Sequence, residues 1–200
     1  MTRTTLRLNF LALALTIFFL TPESILGLGN TGNAQPGFAE FRRLVQNGEA
    51  NVLRGVYVED VLALPVVQQP ADEPYYVSNH EGETTQFSMP ARYGNIGLLA
   101  HNTLSGKFFS QLVTGQEVRL VYGDGRVEYF VVKDILRFQA LEPENVSSSF
   151  RNLDRQETLS AGQVFQRAYV GKRHLVFQTC IQANGNASWG RLFVVAKPRP

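Results

Sequence analysis

The chain has one cysteine in 200 residues, so no disulfide can form within it. Histidine is nearly as scarce. Neither His80, His101 nor His174 pairs at close spacing with another metal-ligating residue type that zinc prefers. That excludes a zinc site of the usual Cys/His kind, and no metal or cofactor is expected. Excess charge of one sign is also missing. Nineteen Lys and Arg against seventeen Asp and Glu leave a formal +2, and no basic stripe interleaved with aromatics occurs, which argues against nucleic acid as a partner. Segments rich in Ala, Glu, Lys and Leu are few while Gly and aromatic residues are plentiful, so strands should dominate. There is no internal repeat and no low-complexity tract. Two hundred residues with 44% hydrophobic content fit one domain plus appendages.

One long apolar run is present. Residues 10–20 (FLALALTIFFL) follow a start that holds Arg3 and Arg7 and no acid, which reads as an export signal. The run is short for a membrane span, which needs about 20 apolar residues, and extending it to Leu28 would bury Glu23. Residues 1–34 are therefore read as a signal peptide or N-terminal membrane anchor with its linker, and the protein is expected outside the cytoplasm at the cell surface. Whether the segment is cleaved stays open. Residues 35–50 are a short helical lead-in, with Phe38, Phe41, Leu44 and Val45 on one face. Residues 51–197 form the body.

Within the body, 52–67 is strand-like, Pro65 marking an edge or a break. Gln68 to Ser88 has the composition of a long surface loop in which Tyr75-Tyr76-Val77 pair briefly. Ile96 to Ala100 reads as a buried strand that delivers His101, and Phe108-Phe109 sit on a short helical turn. Glu117–Tyr122 and Arg126–Lys133, joined through Gly123-Asp124-Gly125, make the clearest hairpin. Ile135 to Ala140 continues as strand after a bulge. Residues 141–157 read as a polar loop, and Leu159 to Val170 as a helix capped by Ser160. Many short strands and few helices point to a mainly β fold, a small closed or nearly closed sheet.

The chemistry centres on Cys180. Leu175-Val176-Phe177 runs through Gln178 and Thr179 into the cysteine; a Gly/Asn-rich stretch follows, and Trp189-Gly190-Arg191 opens a second apolar run. If the two runs pair as strands, Cys180 and Arg191 face each other across one end of a sheet. A lone cysteine is more often an inert small hydrophobe than a nucleophile. A fixed cation beside a thiol, however, favours the thiolate that attacks carbonyls. His101 also stands at a strand end, and in a small barrel strand ends of like polarity gather at one rim. A thiol attacks a carbonyl carbon, an imidazole protonates the leaving amine, and a guanidinium supports the developing oxyanion. His80 and His174 read as solvated surface histidines, His174 lying about 20 Å from Cys180 along an extended strand. Trp189 is expected over the lip of the site, Asp124 in a turn, and Asp134 in a structural role.

At these residues the chain resembles the sortases, cysteine transpeptidases of bacterial cell surfaces. The resemblance lies in Leu98-Leu99-Ala100-His101 before a helix with Phe108-Phe109, in the hairpin ending Lys133-Asp134-Ile135, and above all in Leu175 to Cys180 and Trp189 to Ala196. It covers about Asn51 to Lys197. The resemblance implies a single closed sortase-type β-barrel of about eight strands with a few short helices. It implies Cys180 as nucleophile of a thioacyl-enzyme, His101 as general acid/base and Arg191 as holder of substrate backbone or oxyanion, with Thr179 and Trp189 contacting substrate. The partners implied are surface proteins bearing a C-terminal sorting signal and an amine acceptor, either a cell-wall precursor or a protein lysine. The family's calcium-binding acids have no counterpart here. The span from 68 to 90 is long and acidic, and the strand before Cys180 reads Val-Phe-Gln; both depart from the family's pattern and leave the sorting motif open. A monomer is expected.

Two rivals remain. A cysteine hydrolase would form the same acyl-enzyme and resolve it with water, and a non-catalytic peptide-binding barrel would not use the thiol at all. Cell-wall transpeptidases with a Ser-x-Gly-Cys-x-Arg motif are disfavoured, because Arg191 lies eleven residues beyond Cys180.

Overall fold

The computed structural model describes residues 35–200; the export or anchor reading of residues 1–34 lies outside the described residues. The lead-in helix α1 (Phe38–Val45) forms where the spacing places it. Phe41 is buried against Tyr57 and Val121, with Phe38 and Val45 beside it. Leu44, counted on the same face from the sequence, is 65% exposed. Its direction on the helical wheel is a further 60° or so beyond Phe41, outside the stripe that faces the sheet. Gln35 Nε2 donates to the carbonyls of Val58 and Leu62, which ties the lead-in to the body.

The span read as one strand-like run is a hairpin, β1 (Leu53–Val58) and β2 (Leu62–Gln68). Asp60 takes φ +58° in the connection. Pro65 sits inside β2, just before the next strand begins to pair at Val66. Its missing N–H therefore falls where one side of β2 is unpaired. That next strand, β3 (Thr84–Phe87), lies within the segment read as loop, while Tyr75 to Val77 form no strand. The polar look of Thr84-Thr85 hides it. Both threonines are fully buried, and their hydroxyls are satisfied, Thr84 donating to Leu99 O and Thr85 accepting from Ser78 N–H.

The remaining elements follow the sequence pattern more closely. They are β4 (Ile96–Leu99), α2 (Gly106–Phe109), β5 (Glu117–Tyr122), β6 (Val127–Ala140), β7 (Phe150–Asn152), β8 (Thr158–Leu159), α3 (Ala161–Tyr169), β9 (Leu175–Ala183) and β10 (Asn186–Pro198). The register of β6 against β10 skips Lys133, the expected bulge. β7 occupies part of the span read as polar loop; at three residues it is too short to show an alternation. Ser160 caps α3 in a reciprocal box with Gln163. The Gly/Asn-rich stretch after Cys180 is a two-residue Asn184-Gly185 turn, both at positive φ. It is the kind of turn whose twist matches a hairpin.

The strands close in the order β10-β9-β4-β3-β2-β1-β5-β6, with β6 pairing back onto β10. This is a mainly β, closed eight-stranded barrel; β7 and β8 extend from β6 outside the ring. β2–β3 and β4–β9 are parallel and the other pairings antiparallel, so the barrel is mixed. Side chains alternate across each strand. On β9, Leu175 and Phe177 enter the barrel interior with Leu98, Leu120 and Val194. Val176 points outward, under α3, with Phe193 and Tyr169. Burial on both faces is why this strand begins as an unbroken apolar run, each such side chain contributing about 2 kcal/mol.

Candidate active site

Alternation carries the outward face of β9 from Val176 through Gln178 to Cys180. The thiol therefore faces away from the barrel interior, and Cys180 is half-buried. Its cross-strand partner on β10 is Arg191, and residues so paired have Cβ atoms about 5 Å apart. Arg191 Nη1 donates to the carbonyls of Ser188 and Gly190, each at 2.9 Å. No carboxylate pairs with it among the described residues. The guanidinium is thus held rigidly by backbone oxygens while its charge stays uncompensated by an acid.

His101 arrives on the neighbouring strand. Because β4 runs parallel to β9, with Leu99 opposite Gln178, both chains leave the barrel at the same rim. Ala100 N–H donates to Gln178 O at 3.3 Å, and Thr179 Oγ1 donates to Ala100 O at 2.8 Å. β4 ends at Leu99; His101 follows one residue after Ala100, as Cys180 follows Thr179, so the same offset brings both to one rim. The chain then turns tightly, His101 O accepting from the N–H groups of Leu104 and Gly106, both at 2.9 Å. Gly106 makes this turn possible. A Cβ there would lie 2.7 Å from the carbonyl oxygens of Ala100 and His101, and closer still to Thr179 Oγ1.

The two other sequence-predicted residues fall on opposite sides of the wall. Thr179 is 4% exposed and points into the barrel, so its side chain braces the strand end that carries His101; the expected substrate contact is not where its hydroxyl lies. Trp189 is half-buried in Ala187–Trp189, an insertion opposite Gln182 that shifts the β9–β10 register. Asn102 Nδ2 donates to Ala187 O at 3.1 Å, which links this insertion to the His101 turn. His80 is exposed as expected, but His174 is not a surface histidine. It is 7% exposed, with Nδ1 2.7 Å from Lys172 O and Nε2 2.8 Å from Ala168 O. It clamps the end of α3 to the start of β9, a role that strand spacing alone does not reveal. Asp124 caps its own turn by accepting from Arg126 N–H. Asp134 lies 3.6 Å from Lys197 Nζ in an exposed pair. Among the described residues no group of three or more His, Cys, Asp or Glu is placed to hold a metal ion.

Two clefts flank α3 on this outer face. The smaller, about 320 Å³, ends at Gln178 and Arg191 and has walls from Phe87, Phe150, Phe165 and Phe193, with Tyr75 contributed by the long acidic segment. Cys180 is the next outward residue beyond Gln178. The larger, about 800 Å³, lies at the opposite end of α3 among Asp134, Arg155, Lys172, His174 and Lys197. Neither cleft is lined by Cys180 or His101; Arg191 lines the smaller one and not the larger, so size does not pick out the end nearer the reactive groups. Tyr169 and Gln178 were not singled out in advance. The signal was an amide, Gln178, placed directly after the apolar run Leu175–Phe177.

The fold and this rim define a closed mixed β-barrel with a thiol on β9, a guanidinium on neighbouring β10 and an imidazole just beyond the end of β4, on the other side of β9. No family model matches the sequence, and no curated protein matches it. Among solved structures the chain is similar to sortases. Sortase A of Listeria monocytogenes is 12% identical with a TM-score of 0.48, covering 74% of this chain and 88% of that one. Sortase C-1 of Actinomyces oris is 13% identical with a TM-score of 0.48, covering 81% and 82%. A sortase D5 transpeptidase of Clostridium perfringens is 14% identical with a TM-score of 0.45, covering 83% and 91%. At such identities the likeness concerns the course of the backbone and leaves the chemistry to the residues.

Proposed function

We propose that the protein is a sortase-like cysteine transpeptidase acting outside the cytoplasm. In this reading it cleaves a peptide sorting signal near the C-terminus of a surface protein and passes the acyl group to an amine. The observation that carries the reading is the register: Cys180 stands opposite Arg191 on β9 and β10, and β4 runs parallel to β9 with Leu99 opposite Gln178, two residues before His101 and Cys180 respectively. The residues fit the steps. The Cys180 thiol gives its proton to His101 as its sulfur attacks the scissile carbonyl carbon, and the resulting oxyanion is stabilised by the remaining donors of Arg191. The C–N bond then breaks, its electron pair leaving with the nitrogen, and His101 as imidazolium protonates the departing amine. The acyl group is left as a thioester on Cys180. An acceptor amine attacks that carbonyl carbon, gives its proton to His101, and releases the sulfur. Thr179 and Gly106 set the height of His101; Asn102 holds the Trp189 insertion against it. Membrane attachment, if residues 1–34 are retained, would be N-terminal. Among the described residues no helix is long and apolar enough to cross a membrane.

The test is product analysis. The protein is incubated with a mixed peptide library and hydroxylamine as a generic amine acceptor, and products are read by mass spectrometry. Acyl hydroxamates that vanish in Cys180→Ala support transfer. Free acids in place of hydroxamates, again lost in Cys180→Ala, would mean a hydrolase. Capture of uncleaved peptides that Cys180→Ala leaves intact would mean a binding barrel.

A further inference from the structure

The apolar run that leads to Cys180 is first broken at Gln178. On the outward face Val176 is covered by α3, and continuing that layer would call for another apolar residue at 178. A half-buried amide stands there instead, at the end of the 320 Å³ groove. A polar group in such a place is unfavourable unless it is hydrogen-bonded, so its partners decide what it does.

The carbonyl end of the amide is held. Tyr169 Oη donates to Gln178 Oε1 at 2.5 Å. Tyr169 is 1% exposed, burial pushes its phenol upward so that it keeps its proton, and Gln178 is its hydroxyl's one partner among the described residues. Turning the amide over would leave the phenolic proton without an acceptor. A buried orphan donor is costlier than an under-used oxygen lone pair. Gln178 Nε2 therefore faces the groove, where it makes no hydrogen bond among the described residues. Arg191 lines the same end with Nη1 engaged by carbonyls, which leaves Nε and Nη2 as donors. This end of the groove offers donors, under apolar walls.

We propose that Gln178, oriented by Tyr169, forms a subsite for a hydrogen-bond acceptor, so that the peptide in the groove places there a side chain with an apolar body and a carbonyl or carboxylate tip, as in Gln or Glu. The inference rests on the peptide-transfer reading of Cys180. Gln178 and Cys180 are two residues apart on one strand face, about 7 Å. An extended substrate alongside puts the recognised side chain about two residues from the bond that the thiol attacks. Tyr169 is a positioning residue that acts through Gln178.

The experiment uses a library of short peptides ending in a vinyl sulfone, varied one position at a time, with labelling of Cys180 followed by mass spectrometry. In the wild-type protein, Gln and Glu at one position should label about five-fold faster than leucine there, the equivalent of one hydrogen bond. Gln178→Leu should remove that preference without slowing labelling by iodoacetamide. Gln178→Glu should turn it toward Lys and Arg, and Tyr169→Phe should flatten it. The same peptides without the electrophile are measured against Cys180→Ala by equilibrium dialysis. A profile that Gln178→Leu leaves unchanged overturns the subsite, whatever the thiol does. A Gln178-dependent preference in dialysis with an unreactive thiol keeps the subsite and sinks the catalytic reading.

Discussion

Gly106→Ala is the sharpest test of how the site is braced. A methyl at this position meets the backbone oxygens of Ala100 and His101 at 2.7 Å, and Thr179 Oγ1 closer still. Side-chain rotation can relieve only the last of these, so the turn after His101 must shift. Overpacking of this kind costs about 1–3 kcal/mol. Displacing Thr179 from its 2.8 Å bond to Ala100 O adds about 1 kcal/mol, for a loss of roughly 2–4 kcal/mol. Urea unfolding followed by Trp189 fluorescence measures it, and labelling of Cys180 by a peptide electrophile reads the effect on the rim. Thr179→Ala alone should cost about 1–2 kcal/mol. In the double variant the two losses should be less than additive, because removing the hydroxyl removes the closest contact. Gly106→Ala unfolding within 0.5 kcal/mol of wild type, with labelling unchanged, would refute this account of the turn; the threshold is about the spread of neutral surface substitutions.

Other expectations follow from separate parts of the molecule. Arg191→Lys should lower the rate of peptide acylation about 100-fold or more while leaving the urea midpoint nearly unchanged, since a point cation cannot hold both carbonyls and still face substrate. Ser160→Ala should destabilise by about 1 kcal/mol, read as a shifted unfolding midpoint, because the reciprocal cap on α3 is lost. Burial pushes the Glu128 carboxyl up, but donation from Arg173 at 2.5 Å and Arg126 at 2.6 Å holds it below the usual carboxylate range. A carboxyl lowered in the folded state contributes stability above its unfolded pKa, and that contribution fades as pH falls through the folded value. Glu128→Gln should therefore be destabilising at neutral pH, with the gap to wild type narrowing below about pH 4; unfolding midpoints across that range would show it.

The barrel was legible where burial pattern and turn chemistry agree. Leu175 to Phe177, apolar on both faces, and the Gly123-Asp124-Gly125 hairpin each state their structure locally. The short strands β3 and β7 were not legible, because Thr84-Thr85 are polar residues whose hydroxyls become satisfied only by distant partners, and three residues show no period. The pairing of Cys180 with Arg191 could be read from two apolar runs flanking a turn. The approach of His101 to the same rim depends on β4 lying parallel beside β9, a long-range choice that no local spacing encodes. His174 was misread for a different reason: its carbonyl partners, Lys172 and Ala168, lie only two and six residues back, but it is the turn from α3 into β9 that wraps them round the ring. Gln178 was visible as an exception in its strand, but its meaning needed Tyr169, nine residues earlier.

The central claim is that Cys180 is a nucleophile activated at this rim. Mass spectrometry of the native protein after exposure to a peptide vinyl sulfone, beside His101→Ala, tests it most directly. A single adduct on Cys180 that is lost or much slowed in His101→Ala is the result predicted. Labelling that appears only after denaturation, or proceeds equally fast without His101, would contradict it.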